Sequence, residues 1–288
     1  MLPSFILSLR EGLEAALIIG IVLGVLRQLR RSDLKPAVWI GTSAAVLVSL
    51  AVGLSLSLLG LSLEGEGEVV FEGITMLVAA CVLTWMIFWM SRQTGNLKCE
   101  LKSGVKHAAG VRSKRPLFAL AFFAVVREGI ELALFLTAAA FVSEGIQNLA
   151  GALLGMTAAV FLGWMLFVTT VRMDLRRFFQ ATSILLILFA AGLVAHAVHE
   201  FNETGWIPAV IEHLWDINPT LDESSILGQI LKALFGYNGN PSLTEVLVYA
   251  AYLGIVLTAI RTPAWRRGRV TPQGERGYDK SRYHSLKH

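Results

Sequence analysis

Residues 5–17 read FILSLREGLEAAL, and residues 122–134 read FFAVVREGIELAL. The two stretches share a phenylalanine, an Arg-Glu-Gly-x-Glu motif and a final leucine at the same spacing, without a gap. Each stretch lies in a long apolar run, so the motif places three charged residues inside a hydrophobic segment. Two hydrophobic segments rarely share three charges by chance, so the pair indicates an internal repeat.

The apolar runs are long enough to cross a membrane. The chain has 288 residues, of which 55% are hydrophobic and 16% charged, and its mean hydropathy is +0.61. Soluble domains are about 45–50% apolar and about 25% charged, whereas a membrane span needs roughly 20 apolar residues. Seven runs have about this length, at residues 3–26, 37–60, 69–90, 117–142, 149–171, 179–198 and 243–260. We therefore predict an all-α integral membrane protein with seven transmembrane helices.

The repeat predicts how these helices are arranged. The first copy covers about residues 1–91 and the second about residues 117–200, and each contains three spans. Because three is odd, the second copy enters the membrane upside down, which gives an inverted repeat of three plus three helices. The glycine inside each motif would let the two antiparallel motif helices approach closely. An outer loop at 201–242 then leads to an extra seventh helix at 243–261, so residues 1–261 form one transmembrane domain.

Basic residues predict the orientation, because cytoplasmic loops carry an excess of Lys and Arg. Of the 25 Lys and Arg residues, 22 fall in segments that the seven spans place on one side, and only Lys232 falls on the other. The remaining two, Arg10 and Arg127, lie within spans. We expect an outward-facing N-terminus, a cytoplasmic C-terminus and a flexible basic tail at 262–288 that can touch anionic lipid. The sequence pI of about 9.2 then reflects sidedness, and nucleic-acid binding is not expected.

The charged residues of the motifs are candidates for a metal site. Each motif places two glutamates three residues apart on one helix face, and its arginine lies four residues before the second glutamate, where the two can pair. Each charge costs about 2.5–3.5 kcal/mol inside a membrane, so the charges need partners, water or a ligand. If all are ionised the net charge is −2, and carboxylates suit iron, manganese, magnesium or calcium better than copper(I). The candidate ligands are Glu11, Glu14, Glu128 and Glu131, and the charge partners are Arg10 and Arg127.

Other interpretations of the motifs remain open. Intrahelical Arg–Glu pairs could merely fix helix packing in a structural membrane protein, but that role leaves Glu11 and Glu128 unexplained. A membrane carboxylate–metal enzyme is a further alternative, although di-iron bundles use Glu-x-x-His pairs and neither motif has that histidine. Because no nucleophile–base arrangement stands out either, we expect a transporter and not an enzyme.

Further candidate residues lie at the predicted outer ends of the helices. Glu72 begins the third span and could bind the incoming ion or cap the helix. His199 and Glu200 end the sixth span, where they could bind the ion at the mouth, or the histidine could be a hydrogen-bonded anchor. The acidic turn before the third span is expected to be a solvated loop that could also attract cations. The acids of this turn are Glu64, Glu66 and Glu68.

The doubled motif resembles a known family. REGLE at 10–14 and REGIE at 127–131, in the first and fourth of seven spans, are similar to the motifs of the oxidase-dependent high-affinity iron permeases, among them the bacterial Efe-type ferrous iron permeases. Two further stretches look like that family, FEG at 71–73 and HEFNETGW at 199–206, and the likeness covers roughly residues 1–261. The doubled motif is specific, whereas a single copy would be weak.

The resemblance implies a function and a set of partners. It implies that the chain is a permease of the inner or plasma membrane that transports iron, as Fe²⁺ or Fe³⁺, with the four motif glutamates as its ligands. It also implies an extracytoplasmic iron-oxidising or iron-delivering protein. Another divalent cation such as manganese stays open as the substrate, because the ligand set alone does not select iron.

Overall fold

The computed structural model describes residues 1–93, 103, 105, 114–142, 145–168, 175–219, 221 and 225–261, and these form helices joined by turns and loops. Among these residues, seven long helices lie at the positions of the seven predicted spans, and a shorter helix, α7, lies in the loop before the last one. The helices are α1 Leu2–Gln28, α2 Lys35–Ser62, α3 Glu66–Gln93, α4 Arg115–Val142, α5 Gly145–Val168, α6 Leu175–Glu203, α7 Ile226–Phe235 and α8 Leu243–Arg261. The predicted basic tail at 262–288 lies outside the described residues, as does most of the basic segment between α3 and α4.

Among the residues that the structure describes, five segments are long and apolar enough to span a membrane, judged by length and composition alone. They are Ser32–Ser62, Glu66–Met90, Gly145–Leu166, Arg177–Glu203 and Leu243–Arg261. The other two long helices, α1 and α4, have 27 and 28 residues, and each carries the three charges of a motif within its apolar length. The described part of the chain therefore has the composition of a multi-pass membrane protein.

Small residues allow α1 and α5 to pack closely and in the same direction. Gly151 of α5 lies so close to Met1 that a side chain at position 151 would overlap the Met1 carbonyl. Further along, Gly163 of α5 lies against Ala16 in the same way. Because both chain numbers increase together along the contact, the two helices are parallel.

The helices α2 and α4 form a second parallel pair. Gly41 lies against Phe118 near the start of both helices, and Gly53 lies against Ala133 further along. Since α4 ends at Val142 and α5 begins at Gly145, the end of α4 lies near the start of α5. The start of α5 lies beside the start of α1, because those two helices are parallel, so the end of α4 also lies near the start of α1. The motif helices α1 and α4 are therefore antiparallel.

Most of the described acidic and basic residues lie at opposite ends of the bundle. The start of α3 lies beside the end of α4, because Phe71 and Phe141 pack edge to face with ring centroids 6.2 Å apart, and Gly73 contacts Phe201 near the end of α6. We call this the acidic end and the opposite one the basic end. The acidic end carries Glu66, Glu68, Glu72, Glu200 and Glu203, and the basic end carries Arg27, Lys35, Lys114 and Arg115.

The acidic turn before α3 is shorter than predicted. Gly65, with φ +63°, turns the chain, and α3 then begins at Glu66, so that Glu66 and Glu68 lie in its first helical turn. Carboxylates are favourable there because they interact with the positive end of the helix dipole. Only Glu64 stays in the turn, and Glu72 lies in the second helical turn, where it is too far along to cap the helix.

The loop between α6 and α8 folds back against the bundle. Helix α7 packs on α6, and Ser225 caps it by accepting a hydrogen bond from the Gly228 amide at 3.0 Å. Gly236 ends α7 in the left-handed conformation, with φ 66°, and lies directly against Gly192 in the middle of α6. Neither position has room for a side chain, so this contact fixes how deeply the loop enters the bundle.

Candidate metal site

Three of the four motif glutamates converge between α1 and α4. One carboxylate oxygen from each of Glu11, Glu128 and Glu131 lies within 4.8 Å of the other two. Hard cations lie about 2.0–2.6 Å from their oxygen ligands, so oxygens that share one cation are at most about 5 Å apart. The spacing of the three carboxylates therefore suits a single bound cation, and we call this group the glutamate cluster.

The cluster is buried, and several of its oxygens have no hydrogen-bond donor among the described residues. Glu11 is 1% exposed and Glu128 is 5% exposed. The oxygens without a donor are both of Glu11, Oε2 of Glu128 and Oε2 of Glu131. Buried polar groups are nearly always hydrogen-bonded, and a buried charge without a partner is costly. These four oxygens are available to a cation, which would offset that cost.

Both predicted Arg–Glu pairs are present. Arg10 Nε donates to Glu14 Oε1 at 3.3 Å, and Arg127 Nε donates to Glu131 Oε1 at 2.9 Å. Arg127 Nε also lies 4.0 Å from Glu128 Oε1. The pairing has different consequences in the two motifs, because Glu131 still contributes an oxygen to the glutamate cluster whereas Glu14 lies outside it.

Two consecutive residues of α3 contact the two arginines. Arg10 is fully buried, and its Nη2 donates to Met90 Sδ at 3.3 Å. The Arg127 guanidinium lies over the ring of Trp89, 4.5 Å from the centroid, and 42% of its side chain is exposed. Sequence reasoning missed both contacts, because Trp89 and Met90 belong to an apolar helix in which nothing distinguishes them from lipid-facing residues.

The motif glycines do not face each other, contrary to the expectation from sequence. A side chain at Gly12 would overlap Ala159 of α5, and one at Gly129 would overlap Ser49 of α2. Each glycine therefore lets a helix of the other half of the chain approach its motif from behind. The carboxylates on either side of the glycine are left to face the opposite motif helix.

The candidate ligands at the acidic end form a separate group. Glu72 lies in electrostatic range of Glu200 and Glu203, next to the contact between α3 and α6. Glu72 precedes Trp89 by 17 residues of α3, a distance of about 25 Å along a helix. Residues at the acidic end therefore do not join the glutamate cluster, and the two groups lie at different depths.

Both ring nitrogens of His199 are close to carboxylates. Nδ1 lies 3.1 Å from Glu245 Oε1, and Nε2 lies 3.4 Å from Glu203 Oε1. Sequence reasoning did not single out Glu245, which is 4% exposed. It could have been found, because Ser242 and Glu245 have the Ser-x-x-Glu spacing of a capping box.

The capping box joins the start of α8 to the end of α6. The Ser242 amide donates to Glu245 Oε1 at 3.1 Å, and the Glu245 amide donates to Ser242 Oγ at 3.2 Å. Asn238 Nδ2 donates to Glu245 Oε2 at 2.9 Å, so both oxygens of this carboxylate have partners. Glu245 thus orients His199 at the acidic end of the bundle.

Comparison with known proteins identifies the family. Residues 1–264 match the iron permease FTR1 family. A ferrous iron permease EfeU of Yersinia pestis is 36% identical over 255 residues, covering 88% of this chain and 90% of that protein. The ferrous iron permeases EfeU of Shigella sonnei and of Escherichia coli O157:H7 are each 36% identical over 265 residues, covering 91% of this chain and 96% of theirs. No solved structure matches significantly. These matches support iron transport and a multi-pass membrane location, and the chain belongs to the iron permease FTR1 family.

Proposed function

We propose that this protein carries iron across the membrane by way of the glutamate cluster. The observation that carries the proposal is the convergence of Glu11, Glu128 and Glu131, whose unpartnered oxygens are buried between two helices of a membrane protein. Ionisable residues inside a membrane usually serve a functional site. A purely structural role for the motifs would account for the Arg–Glu pairs but not for the convergence of Glu11 with Glu128.

The charge of the site favours ferrous iron as the bound form. Four ionised glutamates and two arginines sum to −2, which a divalent ion neutralises and a trivalent ion exceeds. The relatives are named ferrous iron permeases. Partial neutralisation by the arginines also keeps the site from holding the ion too tightly, since transport requires release as well as binding.

We further propose that the two halves of the chain form an inverted repeat. Such a repeat relates α1 to α4 and α2 to α5, so it converts the α1–α5 contact into the α4–α2 contact. Both contacts are parallel and both depend on glycines. The motif glycines support the same relation, because Gly12 faces α5 as Gly129 faces α2.

The acidic end is the proposed outer mouth of the pathway. The distribution of basic residues supports this orientation. Glu72, Glu200 and His199 would receive the ion there, and Glu64, Glu66 and Glu68 would raise the local cation concentration. An extracytoplasmic protein that oxidises or delivers iron is the proposed partner at this end.

Uptake into reconstituted vesicles tests the proposal. We expect iron to enter, and we expect the Glu11→Gln, Glu128→Gln double variant to lower the rate at least about tenfold, because loss of even an outer partner of a metal ligand costs about 10–100-fold. The matched control is Glu212→Gln, which removes an exposed loop charge far from the motifs in sequence and should leave uptake unchanged. Normal iron uptake by the double variant, or uptake of manganese in preference to iron, would contradict the proposal.

A further inference from the structure

The second glutamates of the two motifs occupy corresponding positions but behave differently. Glu131 belongs to the glutamate cluster, and its Oε2 has no donor among the described residues. Glu14 pairs with Arg10 and lies outside the cluster. The side chains of Glu14 and Glu131 are 14% and 15% exposed, so burial does not explain the difference.

The two glutamates also lie in opposite directions along the bundle from the first glutamates of their motifs. Because α4 runs toward the acidic end, Glu131 lies three residues nearer that end than Glu128, about 4.5 Å along the helix. Because α1 runs toward the basic end, Glu14 lies about the same distance beyond Glu11 on the basic side. Within the motifs, therefore, Glu131 lies on the acidic side of Glu128, and Glu14 lies on the basic side of Glu11.

The proposed inverted repeat relates this arrangement to a second one. Exchange of the two halves turns the set of Glu11, Glu128 and Glu131 into a set of Glu128, Glu11 and Glu14. Transporters with inverted repeats alternate between two such arrangements around one site, and a ligand that binds both of them shifts their populations. Arginine pairing does not prevent Glu14 from joining, since Glu131 joins the cluster while paired with Arg127.

Resting on the proposed function, we propose that the ion is handed from Glu131 to Glu14 while Glu11 and Glu128 hold it throughout. Glu131 is then the capture ligand, which binds the ion arriving from the acidic end. Glu14 is the release ligand, which replaces Glu131 and draws the ion toward the basic end. The described structure corresponds to the capture arrangement.

Matched glutamine variants of Glu131 and Glu14 test this assignment, because each removes one carboxylate at almost constant volume. Iron(II) binding is measured by anoxic equilibrium dialysis of the full chain in lipid nanodiscs, and uptake is measured in cells as a function of iron concentration. Glu131→Gln should raise both Kd and KM about 10–100-fold and leave the maximal rate much nearer the wild-type value. Glu14→Gln should leave Kd within about threefold and lower the maximal rate at least about tenfold, the signature of a step after binding.

Two outcomes overturn the assignment. One is an equal loss of iron binding in both variants. The other is a raised Kd in Glu14→Gln together with a lowered maximal rate in Glu131→Gln. Glu131→Asp and Glu14→Asp serve if a glutamine variant fails to reach the membrane, since they keep the charge but shorten the reach, and they should show the same split. Failure of the proposed function is distinguishable from failure of this assignment, because the wild-type protein itself would then neither bind nor transport iron.

Discussion

Arg10 and Arg127 hold corresponding positions in the two motifs but have different surroundings. Arg10 is fully buried between Glu14 and Met90, whereas 42% of the Arg127 side chain is exposed. Removing one partner of a buried ion pair leaves the other charge uncompensated, which costs about 3–5 kcal/mol. A partly exposed pair contributes less, because solvent compensates the remaining charge.

Arg10→Ala should therefore destabilise the protein more than Arg127→Ala. We expect a loss of about 3–5 kcal/mol in the free energy of unfolding for Arg10→Ala and a clearly smaller loss for Arg127→Ala. Denaturant unfolding in detergent micelles measures both values. Arg10→Lys, which keeps the charge, is the control and should recover part of the loss; equal losses in the two alanine variants would contradict the assigned burial.

Trp89 should stabilise Arg127 through its aromatic face. A double-mutant cycle with Trp89→Leu and Arg127→Gln should give a coupling free energy of about 0.5–2 kcal/mol, as expected for a cation over an aromatic ring. The matched control is Trp85→Leu on the same helix, since Trp85 is 71% exposed and should show no coupling to Arg127. Equal coupling for both tryptophans would argue against a specific contact.

At the scale of helices, glycines decide which surfaces meet. The sequence predicted that Gly12 and Gly129 bring the motif helices together, but each glycine contacts a different helix, α5 or α2. The prediction failed because a helix has residues on every side. The spacing within one helix does not reveal which neighbouring helix packs against its glycine. The spacing of three residues indicated that the two glutamates of a motif share a helix face, but it did not indicate that Glu14 would lie outside the glutamate cluster.

Alanine at position 129 should separate α2 from α4. Its Cβ would overlap Ser49, and overpacking of this kind costs about 1–3 kcal/mol. Combining Gly129→Ala with Ser49→Gly removes the overlap and should restore both stability and iron uptake. Gly24→Ala is the control, because nothing lies within 4 Å of a side chain there; a rescue that fails would contradict the described α2–α4 contact.

The limits of the long helices followed from the apolar runs, to within a few residues. Residues 3–26 were predicted for a helix that extends over Leu2–Gln28, and residues 243–260 for one that extends over Leu243–Arg261. The start of α3 was misjudged, because Glu66 and Glu68 are as suitable for a first helical turn as for a solvated loop. Trp89 and Met90 could not be assigned, since only the packing of α3 brings them to the arginines.

For the molecule as a whole, the separation of acidic and basic residues predicts the orientation in the membrane. A reporter fused after Lys287 should be cytoplasmic, and one inserted at the exposed loop residue Glu212 should be outside, because basic segments stay on the cytoplasmic side. Protease protection of intact cells measures both positions. Both reporters on one side would contradict the arrangement of seven spans.

The central claim is that iron binds among buried glutamates in the middle of the bundle. Locating the metal directly, by anomalous diffraction at the iron edge from crystals grown with iron(II), tests it without relying on transport rates. We predict an anomalous peak between Glu11 and Glu128, within reach of Glu131, that disappears in the Glu11→Gln, Glu128→Gln double variant. A peak found only at the acidic end, near Glu72 and Glu200, with none between α1 and α4, would contradict it.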